Sequence, residues 1–344
     1  MGIKEKIKEI YEKKYKLLLL IPLTLLFIAI IINIAHVANT GDIINKGVSL
    51  GGGTSITVYT DANYKDVEAF LKNEYGAANV DVKNIAGQQG FIVDGASEIN
   101  SEELLQKIFS ITGELAEENY SMEKTGESLG KSFFQEIFRA ILVAFLFMGF
   151  VVFLYFGHGT KAKVLSFILT ITASVLLVFI KNKSFWTTDI SAIVIAVFLM
   201  GLYLRNSLSS FAVIMSALVD IVVTLAIINV IGLKLSTAGI VAFLMLIGYS
   251  VDTDILLATR VLKRKEGTID ERVYDAMKTG IIMTTTTMIA VLIAYFVTPA
   301  DAIKQIMLII FIGLIVDLVS TWLQTAGLIK IYAYRMQKMH KKLM

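Results

Sequence analysis

Long apolar runs alternate with short polar ones along the chain. The runs near 17–35, 137–156, 162–180, 186–204, 208–231, 236–260, 278–298 and 303–328 are each long enough to cross a bilayer as an α-helix. One interval breaks this rhythm. Residues 36–133 mix helical and strand periods, which predicts a small folded domain. Thr54–Tyr59 alternates as a strand, and Tyr64–Tyr75 carries Val67, Phe70 and Leu71 at helical spacing. Asn79–Ile85 and Gly90–Asp94 read as strands around the turn Gly87-Gln88-Gln89. Ser101–Ile111 sets Leu104, Leu105, Ile108 and Ile111 on one face, with Ser101 as N-cap and Glu102 and Glu103 in the first turn. A last short strand near Ser121 completes the order βαββαβ, the ferredoxin-like arrangement, and about 95 residues suffice for one such core.

The predicted class is an α-helical polytopic membrane protein with one extracytoplasmic α+β domain. Its parts are a basic N-terminus (1–16), a first transmembrane helix (17–35), the ferredoxin-like domain (36–133), a bundle of about seven helices (134–330) and a basic tail (331–344). A hydrophobic content of 56% agrees with that class. Charge then sets the orientation. Lys4, Lys6, Lys8, Lys13, Lys14 and Lys16 precede the first span, and Lys161, Lys163, Arg205, the Arg260–Lys278 cluster and the Lys330–Lys342 tail fall on the same side. The opposite short loops hold only Lys181, Lys183, Lys234 and Lys304. The positive-inside rule places both termini in the cytoplasm of a multi-pass protein of the cell membrane. The stretch after the first span, Asn33–Ala38, lacks small residues at a good cleavage spacing, so that span is expected to be retained.

Few soluble chemistries survive this reading. There is no cysteine, and His36, His158 and His340 are far apart, so no metal centre is expected. No GxSxG, HExxH or Walker lysine is present, so neither an enzyme nor a cofactor is predicted. Nothing points to nucleic acid. The glycine-rich Gly47–Thr54 reads as a flexible joint from helix into strand, because no helix or GK[ST] follows to make a phosphate cradle.

The candidate chemistry lies inside the apolar runs. Asp220, Asp252, Asp254 and Asp317 sit where each carboxylate costs roughly 2.5–3.5 kcal/mol. Such acids mark proton or ion pathways by default, which makes these four the proton-relay candidates. Ser216, Asp220 and Thr224 are spaced four apart and form one stripe, and Gly313, Asp317, Ser320, Thr321 and Gln324 form another. Asp252 and Asp254 are about 200° apart around their helix, so an undistorted helix cannot aim both into one seam. Asp252 shares a face with Gly248 and Tyr249, and Asp254 shares one with Ser250 and Ala258. Supporting polar residues are Ser250, Thr253, the run Thr284, Thr285, Thr286 and Thr287, and Arg260 and Lys278, either of which could pair with Asp254. The competing reading is structural, with the acids holding helices in register through hydroxyls or a lysine.

The string Ile247-Gly248-Tyr249-Ser250-Val251-Asp252-Thr253-Asp254, followed by Arg260 and a basic loop, resembles the fourth transmembrane helix of the SecD/SecF protein-export family. Gly47–Thr54 resembles that family's segment after the first helix, and Gly126-Glu127-Ser128-Leu129-Gly130 the start of the second. Ser216–Ile221 resembles its acid-bearing third helix and Thr284–Thr287 its threonine-rich fifth. The single small domain is similar to the SecF branch, and Val-Asp-Thr-Asp to archaeal members.

This resemblance implies a SecF-like subunit, within the resistance-nodulation-division superfamily, that uses the proton gradient to assist export through a SecY-type channel. The implied partners are a SecD-like subunit, that channel, unfolded exported polypeptide and membrane lipid. It ranks Asp252 first as proton carrier, because SecD-type sequences also carry an acid there. The chain departs in an apparent extra hairpin at 157–204 and in having Thr279, with Lys278 beside it, where bacterial members carry an arginine. The alternative function is half of a small-molecule or lipid exporter of the same superfamily.

Overall fold

The computed structural model describes residues 14–76, 79–85, 89–179, 185–264, 266–298 and 300–343, without the side chains of 179, 185–190, 193 and 339–343. The expected lysines up to Lys13, Lys181, Lys183 and part of the turn Gly87-Gln88-Gln89 lie outside these residues.

The small domain has the expected order: β1 (Gly53–Val58), α2 (Tyr64–Tyr75), β2 (Val80–Asn84), β3 (Phe91–Gly95), α3 (Ser101–Thr112) and β4 (Tyr120–Thr125), after a first long helix α1 (Leu20–Thr40). The sheet is antiparallel in the order β2-β3-β1-β4, with Ile56 opposite both Val93 and Met122. Alternation sends Ile56, Val58, Val82, Phe91 and Val93 to one face, where Val67, Leu71, Leu104 and Ile108 of the two helices cover them. The N-cap of α3 is Asn100, not Ser101. Asn100 accepts from the Glu102 N–H at 3.0 Å, while Ser101 is buried and receives the Thr54 hydroxyl at 2.9 Å.

The glycine-rich stretch is folded rather than loose. Val48–Gly51 forms one helical turn, and the Gly47 N–H donates to the Leu235 carbonyl at 2.8 Å. A Cβ on Gly52 (φ +85°) would stand 2.6 Å from Glu127 Cα, and one on Gly130 2.9 Å from the Leu50 carbonyl. These glycines permit close backbone approach between the domain and the next helix.

The remaining helices are α4 (Glu127–Phe156), α5 (Thr160–Phe179), α6 (Phe185–Asn206), α7 (Leu208–Ile231), α8 (Thr237–Lys263), α9 (Ile269–Val297), α10 (Asp301–Val319) and α11 (Ala326–Leu343). A six-residue π-helical turn, Ser320–Thr325, joins the last two. Among the described residues seven segments are long and apolar enough to cross a membrane, with Val194–Asn206 of α6 a shorter apolar one. This is a multi-pass membrane protein. Helix α9 starts nine residues before its apolar run because Thr268 and Glu271 form a reciprocal capping box.

Helix α7 is the axis of the bundle and packs on α1, α8 and α10. Helices α5 and α6 pair with each other against α4, around Phe153, Leu177, Leu199 and Tyr203. Two apolar clusters fill the central bundle. One, toward the sheet end, includes Ile228, Phe243, Ile310 and Leu314. The other, toward the far end, includes Ala217, Val251, Leu257 and Trp322. On α7 and α10 the buried acids fall between them.

Candidate functional site

Three helices bring three of the four acids together. Asp220 of α7, Asp254 of α8 and Asp317 of α10 are at most 1% exposed. The three carboxyls act on one another electrostatically. Among the described residues none of them forms an ion pair with a lysine, arginine or histidine. Hydroxyls take that place. Ser250 of α8 and Ser320 of the π turn donate to the two Asp220 oxygens, each at 2.5 Å. Thr321 donates to Asp317 Oδ1 at 3.0 Å.

Asp254 differs from its neighbours. The hydroxyls of Thr321, Thr325 and Ser216 face it, yet neither of its oxygens accepts a hydrogen bond of good geometry. Ser216 Oγ, Thr325 Oγ1 and Asp317 Oδ2 are likewise buried without a hydrogen-bond partner. Donors and acceptors therefore stand beside each other with spare capacity, and the arrangement can take up protons or a small polar guest. The π turn contributes to this. It begins three residues after Asp317 and brings Ser320, Thr321 and Thr325 to the acids on one side, and π turns of this kind are frequent at functional sites.

Asp252 lies elsewhere. It is exposed on the outer face of α8, in a row with Val241, Met245 and Gly248, and a Cβ on Gly248 would meet nothing within 4 Å. Thr253 is buried and bonds its own helix at the Tyr249 carbonyl at 3.4 Å. Of the threonine run only Thr284 is buried; Thr286 and Thr287 bond back to Ile282 and Met283, and Thr285 is exposed. Arg260 does not reach Asp254. It donates to the Asp275 carbonyl and the Thr279 hydroxyl, and Lys278 is exposed.

Comparison with known proteins decides the family. Residues 170–335 match the family model for the C-terminal region of protein-export membrane proteins SecD/SecF. The protein-export membrane protein SecF of Methanocaldococcus jannaschii is 34% identical over 336 residues, which cover 95% of this chain and 99% of that relative. The chain belongs to the SecF family. The SecF of Pyrococcus furiosus is 30% identical, over 96% of this chain and 95% of its own length. In fold the chain is similar to the crystal structure of SecDF, a translocon-associated membrane protein from Thermus thermophilus. The TM-score is 0.58 at 15% identity, over 92% of this chain and 38% of that longer one.

Within this SecF-family chain, sequence spacing anticipated the stripes of Ser216 with Asp220 and of Asp317 with Ser320 and Thr321. Thr325 was missed. It lies eight residues after Asp317 and four after Thr321, so the same spacing that groups Ser216, Asp220 and Thr224 is the signal that could have found it.

Proposed function

We propose that this chain is the SecF-type half of a two-subunit protein-export assembly in the cell membrane, and that its buried carboxyl cluster couples export to the proton gradient. The observation that carries the reading is the meeting of Asp220, Asp254 and Asp317 in a hydroxyl-lined seam that holds no paired cation among the described residues. Three negative charges in such a seam would be prohibitive in energy, so the cluster works by holding and releasing protons. Serine and threonine hydroxyls suit this role because each can donate to a carboxylate or accept from a carboxylic acid after a simple rotation. A proton arriving at Asp254 changes which hydroxyls it can engage, and so shifts α8 against α10 and the π turn.

In this reading the sheet domain lies outside the cytoplasm, both termini lie inside, and a SecD-like subunit covers the exposed α8 face that carries Asp252. Exported unfolded polypeptide, delivered by a SecY-type channel, engages the sheet domain. The role is not enzymatic. Proton-gradient-dependent export measured in membrane vesicles tests the coupling: removing the titratable group at Asp254 should abolish the gradient-dependent part and leave assembly intact. Unchanged gradient dependence in a normally assembled variant overturns it.

A further inference from the structure

At the end of the bundle opposite the sheet, a cavity of about 650 Å³ opens between the junction of α6 with α7 and the side of α11. Arg205, Arg335 and Lys338 line it together with Ser207, Leu208 and Tyr332. Among the described residues no acidic one is in its wall. Among the described residues, these three cations form neither an ion pair nor a side-chain hydrogen bond.

Other unpaired cations at this end, such as Lys161 and Lys278, do not line the cavity, and most of the rest are engaged with protein groups. Lys330 pairs with Asp270, Arg264 with Asp275, and Arg260 bonds the Asp275 carbonyl. Arg272 bonds the Val261 carbonyl, Lys163 the Leu154 carbonyl, and Lys263 sits 3.3 Å from the centre of the Tyr155 ring. A rule that merely enriches one side of a membrane in positive charge does not gather three uncommitted cations around one cavity. Their common feature is an acid-free concave site that would hold a multiply charged anion.

The surroundings identify the kind of anion. The cavity sits where α6 ends, and the outer surface of α6 leading away from it is apolar, with Leu204, Phe198 and Val197 about half exposed or more. Tyr332 lines the cavity with an apolar ring and a polar tip, as residues at a membrane–water boundary do. We propose that this cavity binds a phosphate-bearing anion, the headgroup of an anionic phospholipid, whose acyl chains lie along α6. Arg205 and Arg335 can each grip phosphate oxygens with two N–H groups, and Lys338 adds a point charge. Basic pockets between transmembrane helices at this depth recognise lipid headgroups by the same chemistry.

The test uses the full chain in phosphatidylcholine nanodiscs with a titrated fraction of phosphatidylglycerol, and native mass spectrometry counts the phosphatidylglycerol retained on release. Unaltered protein should retain it saturably. Replacing Arg205, Arg335 and Lys338 together by Gln should weaken retention on the order of a hundredfold, at about a fivefold loss per cation. A charge-matched control with Lys161, Lys163 and Lys278 replaced by Gln should retain it as the unaltered chain does. Each single Gln variant, checked for helicity, gives the same reading should the triple variant misfold. Thermal stabilisation of detergent-purified protein by inorganic phosphate, lost in the triple variant and without any lipid preference, would support the phosphate chemistry and assign it to a soluble source. Equal loss in the control, or full retention in the triple variant, overturns the site.

Discussion

Asp252 and Asp254 stand two residues apart on α8, and the first is exposed on the outer face while the second is fully buried among hydroxyls. Resemblance alone ranks Asp252 as the proton carrier. The buried cluster favours Asp254, with Asp252 assigned to the contact with the partner subunit. Asp254→Asn keeps the shape and removes titration, so gradient-dependent export should fall to the gradient-independent level with assembly preserved. Asp252→Asn should leave most of that dependence and weaken co-purification with a SecD-like subunit instead. Vesicle export assays and pull-downs on the two variants check the order. The reverse pattern restores Asp252 to the first rank.

Ser250 and Ser320 both donate to Asp220, from helix α8 and from the π turn. Removing one donor from a buried carboxyl costs about 1–3 kcal/mol. Ser250→Ala and Ser320→Ala should each lower thermal stability in detergent by that order. The double variant should cost more than the sum, because the second removal leaves Asp220 without any donor. A thermal-denaturation series on the four proteins measures the coupling.

Much of this was legible in the chain, for reasons that differ between its parts. The sheet domain could be read because each strand buries one face only, so Thr54–Tyr59 and Gly90–Asp94 alternate visibly. Asp220 and Asp317 could be placed on polar stripes because regular helices repeat every 3.6 residues. Three features were not legible. Around Gly52 the flexibility suggested by four nearby glycines is cancelled by backbone packing against Glu127, which no local pattern encodes. The π turn at Ser320–Thr325 is a second, since a change of backbone hydrogen bonding leaves no mark on the spacing of polar residues. The pairing of Lys330 with Asp270 was equally hidden, since the two are 60 positions apart in sequence.

That pair yields another expectation. Lys330 is fully buried, 2.5 Å from Asp270 Oδ1 and over the ring of Tyr15, and the Tyr334 hydroxyl donates to Asp270 Oδ2 at 2.5 Å. It fastens α11 to the start of α9. Asp270→Leu takes the carboxylate from the buried ammonium, and Lys330→Met takes the cation from an acid that keeps the Tyr334 hydroxyl; each should destabilise, by at most about 3–5 kcal/mol. The double variant, apolar on both sides, should recover most of the loss. Denaturation midpoints of the three proteins decide this. A double variant as unstable as the singles would assign the residues separate roles.

The sheet domain is held to the bundle at a point that acid should loosen. Asp81 of β2 lies 3.4 Å from Lys234 in the α7–α8 loop and 3.5 Å from Lys83. Burial alone would raise the Asp81 carboxyl, but Lys83 and then Lys234 outweigh it and hold it below its ordinary value of 3.8. A carboxyl lowered in the folded state stabilises above its unfolded value, and that contribution is lost as pH falls through the folded one. The tie should therefore be complete at pH 5 and above, and should fade as pH drops below about 4. Hydrogen exchange of the β2 amides, followed from pH 6 to pH 3 and corrected for intrinsic rates, should show protection declining over that interval. Asp81→Asn should begin less protected and lose part of the pH dependence, with the remainder belonging to the neighbouring Asp94–Lys83 pair at 2.7 Å. Lys234→Gln should act in the same direction, since it removes one of the two cations that hold Asp81 down. A pH profile that neither substitution alters would show that the domain is held by its glycine-packed contact with α4 and not by charge.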